Sequence, residues 1–173
     1  MIIEIFKIAT PYILAFIVYL VWHVQKEKEV ISSEARNLLN LLNNFTNEFR
    51  DFEKKLKRKN TQDELSSDDI LGDELNNLFD LHDEIFNSID FISSSVLDVD
   101  LFKLSKNYVQ AVRKILREYS KCLSNDEYIQ CKESLKEDRA ILLGETREFK
   151  KVVLNHVLFR KKYFISLFWR SLK

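Results

Sequence analysis

The hydrophobic pattern opens as a continuous run and only later becomes a stripe. From Ile2 to Val24, IIEIFKIATPYILAFIVYLVWHV, the only charges are Glu4 and Lys7, both in the first third. As a helix this run would span roughly 34 Å, enough to cross a hydrocarbon core of about 30 Å. The expectation is a single-pass transmembrane anchor over residues 1–24, with Tyr12, Tyr19 and Trp22 suited to the water interfaces. A cleavable signal peptide fits less well, because the run starts apolar rather than basic and ends without a small-x-small site. Pro11 leaves two arrangements. One is a single helix kinked at Pro11. The other is a helix starting there with Thr10 as its cap, preceded by an interfacial turn. The second leaves too short a run before Trp22 to cross a bilayer, so the kinked helix is expected.

Beyond Val24 the apolar residues fall into stripes. Ile31, Ala35, Leu38, Leu42, Phe45, Phe49, Phe52 and Leu56 step alternately by four and three, a heptad seam on a first helix that continues from the anchor over 25–59. The polar stretch NTQDELSSDD follows as a loop. A second helix over about 69–93 carries Leu71, Leu75, Leu78, His82, Ile85, Ile89 and Ile92, with Phe79 and Phe86 widening the face. A third over about 100–122, started by Asp98 or Asp100, turns Leu101, Leu104, Tyr108, Val112, Ile115, Tyr119 and Cys122 inward. Ser124 and Glu127 have capping-box spacing before a fourth helix over 125–158. That helix has Leu135, Leu142, Phe149 and His156 every seven residues, with Val153 and Val157 beside them. The predicted fold is all-α: a membrane anchor continuing into an antiparallel up-down four-helix bundle, with residues 60–158 completing the bundle begun by the first helix. The Phe-rich seam suits burial inside such a bundle better than a dimeric coiled coil, though a homo-oligomer through the seam is the alternative.

Composition supports helices. With two glycines and one proline in 173 residues, a turn-rich β architecture is excluded. Net charge is zero overall but not locally. Residues 60–100 contain twelve Asp or Glu and no Lys or Arg, whereas residues 149–173 contain seven Lys or Arg and no acid. Lys26, Lys28 and Arg36 after the run, against Lys7 and the amino terminus before it, place the bulk of the chain in the cytoplasm by the positive-inside rule.

These patterns suggest two contact surfaces. Residues 159–173 mix Phe159, Tyr163, Phe164, Phe168 and Trp169 with Arg160, Lys161, Lys162 and Arg170. Such a mixture suits the surface of an anionic bilayer or a protein partner. Up-down topology returns this segment to the membrane side. The second helix offers an acidic face, Asp73, Glu74, Asp80, Asp83, Glu84 and Asp90, as a possible partner site. The basic run from Lys54 to Lys59 reads as a solvated helix end favoured by the helix dipole rather than a nucleic-acid site.

Chemistry-bearing patterns are scarce. None of the three histidines, His23, His82 and His156, has the Glu three residues earlier that a di-iron bundle requires. Before His156 only Lys150 and Lys151 stand where helical nucleases place an arginine. No glycine-rich phosphate loop exists, and no cofactor is expected. Cys122 and Cys131 flank the third turn. They are expected to be reduced core residues in the cytoplasm, or a disulfide if the domain is periplasmic. The functional expectation is a membrane-anchored scaffold or interaction protein without a catalytic site, partnered by the lipid bilayer and another protein or a second copy. The alternatives are an effector that perturbs membranes through its C-terminal segment, and a periplasmic helical-bundle sensor.

Overall fold

In the computed structural model the backbone is described for residues 2–59, 67–96, 98–124 and 128–157, and side chains for 9–56, 70–96, 98–123 and 135–157. Four helices account for nearly all of it: α1 (Ile2–Lys59), α2 (Ser67–Ser95), α3 (Val99–Ser124) and α4 (Tyr128–Val157), with no strand among the described residues. α1 runs unbroken through Pro11, so the arrangement in which a helix begins at Pro11 does not hold. Proline lacks the amide that would bond the carbonyl four residues back, and the helix tolerates the loss of that one bond.

The helices form a ring in which α1 packs on α2 and α4, and α3 packs on α2 and α4. Each expected seam residue that points inward has this ring as its destination. Ala35, Leu38, Leu42, Phe45, Phe49, Phe52 and Leu56 of α1 are all buried, and Leu71, Leu75, Leu78, Ile85, Ile89 and Ile92 meet them from α2. The heptad seam of α1 is therefore consumed by its own chain. The middle of the core is a column of rings. Phe45 stacks on Phe49 at 6.0 Å, Tyr108 stacks on Phe149 at 5.4 Å, and Tyr119 meets Phe52 edge-on at 5.3 Å. Offset and edge-on pairs of this kind contribute about 0.5–1.5 kcal/mol each beyond their buried area.

One inward assignment changes, and two residues join the core from outside the expected stripes. Phe86 is half-exposed, with the Arg113 guanidinium 5.4 Å above its ring. Val109 and Leu116 of α3, outside the expected stripe, are buried. Ser124 is the last residue of α3, and its side chain and Glu127, the two halves of the expected capping box, lie outside the described residues. The cap of α3 is Asp98, whose Oδ1 accepts from the amides of Asp100 at 2.9 Å and Leu101 at 3.2 Å.

The membrane crossing is not supported by the described residues: among them no helix is long and apolar enough to cross a membrane. The apolar stretch with described side chains runs from Ala9 to Val24, about 24 Å of helix against a core of about 30 Å. The expected span from Ile2 needs the residues before Ala9 to complete it.

Candidate functional site

The first candidate is the N-terminal part of α1. From Tyr12 to Trp22 its large apolar side chains are between 43% and 74% exposed, and they occupy every face of the helix. The reason is geometric. The core side chains of α1 begin at Ile31, and the turns from Tyr12 to Trp22 lie beyond the packed part of the bundle. Tyr19 lies 6.5 Å from Trp22 and 6.0 Å from His23, grouping these three rings at the end nearer the bundle.

The acidic face on α2 divides. Asp73, Asp80, Asp83, Glu84 and Asp90 are exposed. Glu74 is instead turned toward α1, where the Lys55 ammonium binds one of its oxygens while the other is buried with no partner among the described residues. The basic run on α1 is likewise engaged within the molecule as far as it is described, Lys55 with Glu74 and Lys54 with Asp51 at 2.8 Å.

Several polar groups inside the bundle are engaged with one another, whereas the Tyr108 hydroxyl and His82 Nδ1 have no partner among the described residues. Glu53 of α1 accepts the Tyr119 hydroxyl of α3 at 2.9 Å and the Arg139 Nη2 of α4 at 2.6 Å, while Arg139 Nε approaches its other oxygen. This side-on, bidentate contact ties three helices through one carboxylate. Lys150 of α4 donates to Thr46 Oγ1 of α1 at 3.2 Å, and burial holds its ammonium below the usual lysine range. Lys114 of α3 pairs with Asp138 of α4 at 2.7 Å on the surface.

Both histidines of the bundle are buried, and burial lowers the pKa of each. His82 accepts from Arg113 Nε through its Nε2 at 3.3 Å, which puts its proton on Nδ1. The Arg113 charge lowers its pKa further, and Asp83 opposes. His156 Nε2 lies 3.1 Å from Asp98 Oδ2, so Asp98 caps α3 with one oxygen and meets α4 with the other. The Asp98 charge raises the His156 pKa but less than burial lowers it. These geometries are those of structural polar contacts. Among the described residues no group of His, Cys, Asp and Glu side chains is placed to hold a metal ion.

Cys122 is buried and disulfide-bonded. The side chain of Cys131, the other cysteine of the chain, lies outside the described residues. The C-terminal contact residues, Phe159, Arg160, Lys161, Lys162, Tyr163, Phe164, Phe168, Trp169 and Arg170, also lie outside them.

Three features escaped the sequence reading. The Glu53–Tyr119–Arg139 contact joins residues 66 and 86 positions apart and leaves no periodic trace. The pairing of His156 with Asp98 is equally non-local. The exposed Val99 and Phe102 at the start of α3 did have a signal, since both fall out of phase with the stripe through Leu101, Leu104 and Tyr108. No family model matches this chain, and comparison with curated proteins and with solved structures finds no match.

Proposed function

We propose that this chain is a membrane-anchored helical interaction protein, with Ile2–Val24 embedded in the bilayer and the bundle presented at its surface. The observation that carries this reading is the N-terminal part of α1, apolar on all faces and exposed throughout. A helix that is hydrophobic all round requires an apolar surrounding, and an exposed patch of this size marks a membrane or protein contact. The residues before Ala9 extend the run to the length a crossing needs. The bundle serves binding rather than catalysis. Several of its internal polar groups pair with one another, while the exposed acids of α2 and the basic, aromatic residues 159–173 offer surfaces to a protein partner, a second copy or anionic lipid.

Flotation tests the reading. The full chain is expected to rise with phospholipid vesicles and resist alkaline carbonate extraction, whereas a chain lacking residues 1–24 stays in the aqueous fraction and melts as a folded helical protein. A full chain that remains aqueous and monomeric would overturn the proposal.

One observation favours a second reading of orientation. The Lys/Arg distribution places the bundle in the cytoplasm, but the disulfide at Cys122 belongs to an oxidising compartment. On that reading the bundle lies on the external face, as the sensor alternative requires. Thiol labelling in intact and permeabilised cells, with and without reductant, separates the two. Label that enters permeabilised cells without reductant indicates the cytoplasmic side. Label that requires reductant but no permeabilisation indicates the external one.

A further inference from the structure

The end of the bundle nearest the apolar run is built to a definite level. Ser88 of α2 donates to Glu34 of α1 at 2.6 Å. α2 then continues for about two more turns, toward the start of α1, before ending at Ser95. Antiparallel packing carries Ser95 to about the level of Glu27, roughly one helical turn past Val24. From the opposite side of the ring, the Ser32 hydroxyl donates to the Val157 carbonyl at 3.2 Å, and His156 meets Asp98 at 3.1 Å. The α2–α3 turn and the end of α4 are thus joined beside the stretch of α1 that leads into the apolar run.

This turn displays apolar side chains to the outside. Val99 is 81% exposed and Phe102 is 63% exposed. Neither has a place in the core, because the inward positions of this part of α3 are taken by Leu101, Ser105 and Tyr108. The local charge does not oppose an anionic surface. Asp98 is engaged by His156 and the α3 amides, and the exposed Asp100 is accompanied by the exposed Lys103 and Lys106. The sequence after Val157 carries five Lys or Arg and no acid.

We infer that the α2–α3 turn is a second lipid contact: Val99 and Phe102 enter the interfacial zone of an anionic bilayer on the face where α1 emerges. The inference rests on the reading of α1 as membrane-embedded and adds a surface to it. The polar zone of each leaflet is about 6 Å deep, comparable to the rise of the one helical turn that separates the level of Ser95 from Val24. Apolar and aromatic side chains beside lysines suit that zone. The turn would fix the tilt of the bundle against the membrane, which a single crossing helix leaves free.

The experiment uses the full chain carrying Phe102→Trp in a Trp22→Phe, Trp169→Phe background, reconstituted into phosphatidylcholine vesicles with and without phosphatidylserine. The indole at position 102 is expected to show blue-shifted emission and quenching by lipids brominated near their carbonyl ends, both stronger with phosphatidylserine. Hydrogen exchange on the unaltered chain supplies a reading independent of the substitutions. Exchange over residues 96–104 is expected to slow several-fold when phosphatidylserine is present. Water-like emission, no bromine quenching and unchanged exchange, in a chain that still floats with the vesicles, would overturn this inference alone. A chain that does not float would overturn the membrane reading beneath it.

Discussion

Tyr108 is the largest fully buried side chain among the described residues, and its hydroxyl is one of three buried polar atoms there without a partner. Phe149 covers one face of its ring and the edge of Phe45 approaches at 6.5 Å. The oxygen finds no hydrogen-bond partner among the described residues. Burial pushes its pKa far above the usual tyrosine range, so the group stays neutral. An unsatisfied buried hydroxyl costs about 1–3 kcal/mol. Tyr108→Phe keeps the ring and removes the oxygen, so it is expected to raise stability by about 1 kcal/mol, measured by urea unfolding of the protein. A destabilised variant would mean that the hydroxyl has a favourable contact after all. Glu53 is the opposite case at the same scale. It has the Tyr119 hydroxyl and the Arg139 guanidinium. Removing one partner of a fully buried pair costs about 3–5 kcal/mol; Arg139 is a third exposed, so a smaller loss follows, and Arg139→Met is expected to destabilise where Tyr108→Phe does not.

At the scale of the element, the helices differ in how they end and in where they are weak. Gly144 sits inside α4, and a Cβ built there meets nothing within 4 Å. Gly144→Ala is expected to stabilise by about 0.5–1 kcal/mol, since the glycine loses more backbone freedom on folding, and thermal unfolding would show a rise of about 1–4 °C. The start of α3 depends on Asp98. Asp98→Asn keeps an oxygen for the amides of Asp100 and Leu101, whereas Asp98→Ala loses the cap, worth about 1 kcal/mol. The larger loss is therefore expected for alanine. Where elements are periodic they could be read in advance. The α1 seam from Ala35 to Leu56 alternates by four and three because one narrow face enters the ring, and all of those residues are buried. The α4 register from Leu135 to Val153 was legible for the same reason. Phe86 was misread because periodicity does not show the Arg113 guanidinium that covers an aromatic ring while leaving it half in water. The candidate surfaces were less legible than the core. An acidic position such as Glu74 gives no sign along the chain that Lys55, nineteen residues earlier, will turn it inward.

At the scale of the whole molecule, the two buried histidines make the bundle sensitive to acid. His82 accepts the Arg113 Nε proton, so a proton on His82 Nε2 would break that bond and set two cations against each other. Asp83 offsets part of this, but burial and Arg113 hold the pKa below 6.5. His156 is held below 6.5 by burial, with Asp98 opposing. In the unfolded chain both would titrate near 6.5. As pH falls through that value the unfolded state takes up protons that the folded state refuses, and stability falls. The contribution is fully present above the unfolded pKa and is lost as pH drops toward the folded values. The midpoint of thermal unfolding is therefore expected to decrease between pH 7.5 and 5, before most carboxylates titrate. His82→Gln and His156→Gln should flatten that slope, each separately because the two groups lie on different contacts. Proton resonance titration of the two rings checks the cause directly, with both midpoints expected below the ordinary histidine value. A midpoint above it for His156 would show that Asp98 outweighs burial. Its contribution would then change sign and be lost as pH rises. Because His156 and Asp98 join the end of α4 to the α2–α3 turn, that measurement also reports how firmly this end of the bundle is held.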